Sequence, residues 1–319
     1  MAITVLRSPE EWQARFGASS RTALTVGNFD GLHLGHQQIL KSVLERARAN
    51  SQLAAVVTFD PHPLRLLRPE QAPRMIQTLA QRLKGFERIG IDAALVLQFD
   101  RELSLVSPQD FIQRILIDCL HVGTILVGAN FRFGNLGAGD VRLLAEFGKR
   151  SGFDVEIISP VEIQGRVVSS TAIRNAIESG SVSDATALLG RPFSLTGEIR
   201  TGAGRGRTIL FPTLNLAPEQ ELLPKLGVFA TESILNGKTY ASVTNVGTRP
   251  TFDGRGVTVE SHLFGFSEQV TKGPMEVRFY MRLRDEQKFS GPDQLRAQIA
   301  RDIAAAQNYF SKHRVVQDS

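Results

Sequence analysis

Residues 27–36 read Gly27-Asn28-Phe29-Asp30-Gly31-Leu32-His33-Leu34-Gly35-His36, and no other stretch constrains the fold as tightly. It follows the apolar run Ala23, Leu24, Val26 and precedes a pattern with Ile39, Leu40, Val43, Leu44 and Ala47 on one helical face. Strand, glycine-punctuated turn and helix N-terminus in succession suit an anion. Glycine lets the backbone approach closely, and the unpaired N–H groups of the first helical turn favour negative charge. His33 and His36, three apart around Gly35, can donate to the same oxyanions. The competing interpretation is a tight strand-to-helix turn with two polar surface histidines; the whole ten-residue string favours the anion cradle.

The same grammar continues to about Gly180. Ala23–Val26, Leu53–Thr58, Ala93–Gln98, Thr124–Val127 and Val155–Ile158 read as strands separated by helical patterns. In one of these, Ser107 reads as an N-cap and Pro108 as the first helical residue. Alternation of this kind predicts a doubly wound, Rossmann-like α/β domain, a parallel sheet with helices on both faces. Ligands in such sheets collect beyond the carboxyl ends of the strands.

After Leu188-Leu189-Gly190-Arg191-Pro192 the pattern changes to closely spaced β-type runs: Phe193–Ile199, Thr213–Leu216, Val228–Ile234, Ala241–Val246, Thr258–Leu263 and Val277–Leu283. Asn236-Gly237 between two of them is a hairpin signal. These runs predict a small antiparallel barrel. A closing helix from Pro292 to about Phe310 carries Leu295, Ile299, Ile303 and Ala306 on one face. The expected division is 1–187 and 188–319, an α/β domain followed by a barrel with a C-terminal helix.

A chain of 319 residues accommodates two such domains. Its 42% hydrophobic and 22% charged content is that of a globular protein. No apolar run approaches the ~20 residues that span a bilayer, and Met1–Arg7 lacks the features of a signal peptide. The single cysteine, Cys119, cannot form an internal disulfide and falls in an apolar helical pattern, so a buried thiol in a reducing cytoplasm is expected. The net charge of +5 is mildly basic and could suit nucleic acid, a membrane surface or phosphorylated small molecules. The chain lacks the dense Lys/Arg block of a nucleic-acid tail, but charge alone does not choose among them.

Three further strings fall at or near the carboxyl edge. Phe59-Asp60-Pro61-His62-Pro63 follows the second strand, and Gly128-Ala129-Asn130-Phe131-Arg132-Phe133-Gly134 follows the fourth. Ser169-Ser170-Thr171-Ala172-Ile173-Arg174 opens a helix, with Ser170 or Thr171 as its cap and Arg174 about one turn on. Hydroxyls, amides and a guanidinium there would suit a triphosphate, although a capped helix with a surface arginine, a turn asparagine and a core aromatic would read the same way. The strings GNFDGLHLGHQ, FDPHP, GANFRFG and SSTAIR resemble those of the bacterial bifunctional riboflavin kinase/FAD synthetases, whose N-terminal module is an HxGH nucleotidyltransferase. The resemblance implies adenylylation of FMN by ATP to give FAD and pyrophosphate. It implies ATP contacts at Gly27, Asn28, Asp30, Gly31, His33, Gly35, His36, Ser169, Ser170, Thr171 and Arg174. His33, His36 and Arg174 would be catalytic, and Asp60, His62, Asn130 and Phe131 would place the flavin.

In the second half, Gly202, Gly204, Gly206 and Arg207 make a basic, glycine-rich loop leading into Phe211-Pro212-Thr213-Leu214-Asn215. Thr213 and Asn215, two apart on a strand, face the same way and offer oxygen donors suited to Mg2+ carrying ATP phosphates. A plain surface loop with two polar strand residues fits that stretch equally well. Glu260 is a carboxylate inside a β-type run. Gly190-Arg191-Pro192, Phe211-Pro212-Thr213-x-Asn215, Gly227-Val228-Phe229, Asn245-Val246-Gly247-Thr248-Arg249-Pro250-Thr251-Phe252 and Leu283-Arg284 through Lys288-Phe289 are similar to the riboflavin kinase module. That similarity implies phosphorylation of riboflavin to FMN, with Glu260 as general base, Gly202, Gly204, Gly206 and Arg207 on ATP, Arg249 on the flavin, and Thr213 and Asn215 on Mg2+. Two departures stand out: Leu210 replaces a family glycine, and Val270-Thr271-Lys272-Gly273 replaces a Leu-Tyr-Gly segment. The alternatives are an enzyme keeping one activity, its kinase weakened by Leu210, and a nucleic-acid-binding barrel; the latter should show exposed stacking aromatics among clustered cations.

Overall fold

A computed structural model describes residues 2–17, 20–200, 212–251 and 254–313, leaving aside the side chains of 249–251, 254 and 255. Its packing resolves two compact units, Met1–Ser169 and Ser170–Ser319.

The first unit contains β1 (Thr4–Leu6), α1 (Pro9–Phe16), β2 (Thr22–Val26), α2 (Leu34–Ala49), β3 (Leu53–Asp60), α3 (Leu64–Leu67), α4 (Leu79–Ile89) and β4 (Ala93–Gln98). It continues through α5 (Arg101–Leu105), α6 (Pro108–Asp110, running on in wide π-type turns over Phe111–Cys119), β5 (Val122–Gly128), α7 (Val141–Ser151), β6 (Asp154–Ile158) and the hairpin β7 (Glu162–Ile163) and β8 (Arg166–Val167). Strands β1 to β6 form one sheet in the order β1-β4-β3-β2-β5-β6, every pair parallel. The five expected strands are present, and β1 adds a sixth at the edge beside β4. Successive residues of a strand point to opposite faces, and both faces are covered. Leu24, Val26, Val57, Leu95 and Ile125 pack with α1, the α6 region and α7, whereas Ala23, Val56, Val96 and Leu126 pack with α2 and α4. Ser107 caps α6 with its hydroxyl 3.0 Å from the Asp110 N–H, as its position before Pro108 predicts.

The second unit starts with α8 (Ser170–Ser179) and α9 (Val182–Leu189), followed by β9 (Phe193–Arg200), β10 (Leu214–Pro218), β11 (Gly227–Leu235), β12 (Lys238–Thr251), β13 (Gly254–Leu263), β14 (Pro274–Arg284) and α10 (Pro292–Lys312). The six strands close into an antiparallel barrel in the order β10-β13-β12-β11-β14-β9. Asn236 (φ 50°) and Gly237 (φ 76°) make the β11–β12 turn in the left-handed conformation that a two-residue hairpin needs. Ala306 and Ile303 of α10 pack on Val228, Ala230 and Val243. Arg284 fastens the helix further, its guanidinium paired with the buried Asp302 carboxylate at 2.8 Å. The change in patterning at 187/188 and the packing division at 169/170 differ because α8 and α9 pack with the barrel; the Lys225 N–H donates to the Ile177 carbonyl at 3.2 Å, and α9 lies on β9 and β14.

Inside the barrel runs a chain of five fully buried hydroxyls. Ser233 meets Ser242 at 2.9 Å, Ser242 meets Thr231 at 2.8 Å, Thr231 meets Thr244 at 2.7 Å, and Thr244 meets Ser261 at 2.7 Å.

Candidate active sites

The turn from β2 to α2 has the cradle geometry. Gly31 sits at φ 88°, which glycine adopts freely, but Phe29 (φ 51°) and Leu32 (φ 41°) hold left-handed conformations that cost of order 1–3 kcal/mol each. Both are pinned by burial in the apolar layer beneath α2 and α4, Phe29 edge-on to Phe86 at 5.6 Å. His33 is the N-cap of α2, its Nδ1 accepting the His36 N–H at 3.2 Å, so a neutral His33 carries its proton on Nε2. The His33 and His36 rings stack at 3.6 Å between centroids. A Cβ on Gly35 would crowd the His33 ring at 3.3 Å, which explains the glycine between the histidines. Burial first, and proximity to His33 second, hold the His36 imidazole well below its ordinary pKa. His36 Nδ1 is buried and has no hydrogen-bond partner among the described residues. The site therefore presents a desolvated His36 imidazole beside the capping His33 at a helix N-terminus.

Asp30 does something other than face an open cradle. It is buried, and its carboxylate accepts from the Ile76 and Gln77 N–H groups at 3.1 Å, tying the loop to the lead-in of α4. The second tie comes from Arg82, which the sequence pattern does not single out. This arginine is only 2% exposed. Its Nη1 donates to the Asn28 carbonyl (2.8 Å), Thr58 Oγ1 (3.2 Å) and the Phe59 carbonyl (3.4 Å), and its Nη2 lies 3.8 Å from Asp60 Oδ1.

The FDPHP string stands beside the cradle. His62 Nδ1 accepts the Leu64 N–H at 3.2 Å, and its Nε2 lies 3.1 Å from the Asn28 side-chain amide. It is the Asn28 Nδ2 that faces this ring nitrogen, and the buried Asn28 Oδ1 has no hydrogen-bond partner among the described residues. In the GANFRFG string, Asn130 is exposed at the turn after β5, while Phe131 packs on the core and stacks on Phe133 at 5.4 Å. Asn135, just beyond, donates to the Ser104 carbonyl at 2.8 Å and joins this loop to the segment after β4. The fourth string opens α8 and packs within the second unit. Because α8 starts at Ser170, Ser169 precedes the helix, and Ser170 and Thr171 fall in its first turn instead of at the cap; Arg174 lies one turn on.

In the barrel, strand register builds a polar row. Arg200 is opposite Asn215, Asn215 opposite Glu260, and Glu260 opposite Asn245. Their neighbours Ile199, Leu216, Val259, Ser261, Thr244 and Val246 are buried, so the row faces away from the barrel interior. Thr213 lies one residue before β10, and the Pro212 carbonyl accepts from His262 Nδ1 at 2.9 Å, fixing the start of β10 against β13. A Cβ on Gly247 would meet Glu286 Oε1 at 2.7 Å and Asn245 Nδ2 at 2.9 Å, so the Glu286 carboxylate stands over that glycine beside Asn245. Asn245, His262 and Glu286 were not assigned roles from sequence, although Asn245 and Glu286 lay in stretches singled out there and His262 in a β-type run. Gly202, Gly204, Gly206, Arg207 and Leu210 lie outside the described residues. Arg249 is placed only as backbone of β12, opposite Gly256. Hydroxyl, amide and carboxylate oxygens are hard donors of the kind Mg2+ takes. Among the described residues no group of three or more His, Cys, Asp or Glu could hold a metal ion.

Residues 16–172 match the family model for FAD synthetase and residues 189–310 that for riboflavin kinase. The chain is 36% identical over 288 residues to the bifunctional riboflavin kinase/FMN adenylyltransferase of Escherichia coli K12, covering 90% of this chain and 92% of the relative. The protein of that name from Haemophilus influenzae is 35% identical over 91% of this chain and 94% of its own, and the one from Pseudomonas fluorescens 37% identical over 88% and 91%. A crystal structure described as a macrolide-efflux protein from Streptococcus pneumoniae superposes with a TM-score of 0.86 at 28% identity, covering 97% of this chain and 99% of that one. Among the described residues no helix is long and apolar enough to cross a membrane.

Proposed function

Because the chain belongs to the bifunctional riboflavin kinase/FMN adenylyltransferase family, a transferase that phosphorylates riboflavin with its C-terminal module and adenylylates FMN with its N-terminal one, we propose a residue-level division of that chemistry between its two polar sites. The observation that carries this is that each unit builds a polar site of its own: a stacked histidine pair at a helix N-terminus in one, and the Asn215–Glu260 row on a barrel wall in the other.

In the first, an FMN phosphate oxygen attacks the α-phosphorus of ATP, a P–O bond forms, and the bond to the β-phosphate oxygen breaks to release pyrophosphate. The nucleophile is already an anion, so no residue has to take a proton. Catalysis rests on aligning two phosphates and spreading the charge of the transition state. His33, His36, the backbone of Gly27–Gly35 and Asn28 hold ATP; Asp30 fixes the loop from behind. Ser169, Ser170, Thr171 and Arg174 join the ATP set, and Asp60, His62, Asn130 and Phe131 the flavin set, by family resemblance.

In the second, the primary hydroxyl of riboflavin attacks the γ-phosphorus of ATP, its proton passes to the Glu260 carboxylate, and ADP leaves. Thr213 and Asn215 hold Mg2+, which neutralises phosphate charge when bound. Gly202, Gly204, Gly206 and Arg207 would cover the ATP phosphates and Arg249 the flavin. Riboflavin, FMN and ATP are soluble, which supports a cytoplasmic enzyme with neither nucleic acid nor membrane as partner.

The test is incubation with riboflavin, ATP and Mg2+, separating FMN and FAD by chromatography over time. FMN should rise first and FAD follow. Failure of either product to form, in protein whose two units are folded, overturns the assignment for that unit.

A further inference from the structure

Arg82 combines features that stability alone does not explain. Its guanidinium is withdrawn from water on α4, its Nε is buried without a hydrogen-bond partner among the described residues, its ion pair with Asp60 is a long 3.8 Å, and the charge of Asp30 also acts on it. A buried cation with an unmet N–H and an imperfect ion pair is a poor stabiliser compared with an apolar side chain of similar volume. Yet this group reaches both loops that carry the first site. It receives the Asn28 carbonyl at the end of β2 and the Phe59 carbonyl at the end of β3, and it shares Thr58 Oγ1, which itself lies 3.4 Å from the Asn28 carbonyl.

Resting on the adenylyltransferase reading above, we infer that Arg82 is a positioning residue for FMN adenylylation, holding the Asn28–His36 cradle and the Phe59–His62 segment in the register that aligns the two phosphates. The mechanism is local. In a trans peptide the N–H points opposite to its C=O, so drawing the Asn28 carbonyl onto Arg82 faces the Phe29 N–H away from the guanidinium. The carbonyl's negative end is held against a cation instead of against bound phosphate. Setting the Asn28 backbone also sets its side chain, whose partner is His62. Below, Asp30 clamps the same loop to Ile76 and Gln77, six and five residues before Arg82 on the same segment. The cradle is thus fastened once to α4 and once to its lead-in. Packing supports the same plate: a Cβ on Gly85 would collide with Leu32 Cδ1, and Phe86 abuts Phe29. Lysine keeps the charge but lacks the second nitrogen, Nη2, which reaches the Phe59 carbonyl at 3.5 Å and lies 3.8 Å from Asp60 Oδ1.

The test uses the full chain and measures single-turnover FAD formation from FMN at saturating ATP and Mg2+. The rate constant there does not depend on how much enzyme is folded, whereas the amplitude does. Arg82→Met should lower the rate constant by about 10²-fold, the scale of an ~1 Å misplacement. Arg82→Lys should recover only part of it, leaving a loss of about tenfold, with amplitude near that of the natural chain. Cys119, buried on the opposite face of the sheet, should stay protected from thiol reagents, and riboflavin kinase turnover should not change. Should Arg82→Met fail to fold, Thr58→Val decides in its place, since it removes one acceptor of the guanidinium and a hydroxyl neighbour of the Asn28 carbonyl; its rate constant should fall severalfold. An unchanged rate constant in folded Lys and Met variants, or a loss confined to amplitude, overturns the inference. Absence of FAD with the natural chain would instead remove the adenylyltransferase reading on which it rests.

Discussion

Thr244→Val cuts the hydroxyl chain of the barrel at its most connected link while keeping side-chain volume. Thr244 Oγ1 meets Thr231 and Ser261 at 2.7 Å each, with all three residues fully buried. After the substitution Thr231 keeps Ser242 at 2.8 Å, but Ser261 loses the only hydroxyl that reaches it in the chain. A buried hydroxyl left unsatisfied costs about 1–3 kcal/mol, and the lost Thr231 link adds about 1 kcal/mol at most. A net loss of roughly 2 kcal/mol follows, which for a unit of this size lowers Tm by roughly 4–8 °C. Calorimetry of the full chain measures it, and residual riboflavin kinase activity after each heating step identifies the barrel transition. Removing Ser261's hydroxyl as well should return part of the loss, because the double variant leaves no orphan; Thr244→Val with Ser261→Ala should cost less than the sum of the singles by about 1 kcal/mol. Kinase turnover at 25 °C should change little, since these hydroxyls point inward and the Asn215–Glu260–Asn245 row outward. An unshifted barrel transition, or strict additivity in the double variant, refutes the reasoning.

Asn215→Ala or Glu260→Gln should lower FMN formation by at least 10²-fold, the usual scale of a lost general base, while FAD formation from supplied FMN survives; His36→Ala or Arg174→Ala should do the reverse. One folded variant that stops both reactions sinks the two-site assignment. The natural chain should lose stability as pH falls below ~6.5, because unfolded His36 takes up a proton there while the folded residue, held well below that value by burial, does not. His36→Gln should flatten that slope in urea titrations, and an identical slope contradicts the buried, neutral ring. Burial, followed by the charge of Glu10, pushes the Cys119 thiol up to about 11, so at pH 8 it should resist thiol reagents until the first unit unfolds. Rapid labelling of the native chain would show that this thiol is accessible.

Much of the first unit is legible in sequence because its signals are local. Four buried parallel strands and the half-exposed edge strand β6 read as apolar runs, and the loops at their ends carry glycine, histidine and asparagine in fixed spacing. Strand β1 escapes notice because Thr4–Leu6 is too short to show alternation and gains its identity only by pairing with β4. The barrel strands are legible for the same local reason, but the interior is not. A period-of-two pattern assigns Thr231, Ser233, Ser242 and Thr244 to solvent, whereas here they face inward and satisfy one another across three strands, which no single strand can reveal. Asp30 and Arg82 mislead in opposite ways. The carboxylate lies in the most telling string of the chain yet points away toward backbone amides 46 and 47 residues on. The arginine lies on an ordinary amphipathic helix, where the pattern reads it as solvated.

The placement of protons separates the two chemistries. In the first site the His33 Nδ1 lone pair is used by the His36 N–H, and His36 is kept from protonating by burial against Phe29, 5.2 Å away edge-on, and against the His33 ring. A neutral donor holds an oxyanion without adding formal charge, so it does not over-stabilise ATP before reaction. That suits a nucleophile that arrives as a phosphate anion and needs alignment more than activation. The barrel faces the opposite demand. Riboflavin offers a neutral hydroxyl, and the row that register assembles there places the Glu260 carboxylate between two asparagine amides on neighbouring strands. On the proposed division a proton acceptor stands where the reaction releases a proton, and the histidines, of which His33 could accept one at Nδ1 only by breaking the cap of α2, serve the step that releases none.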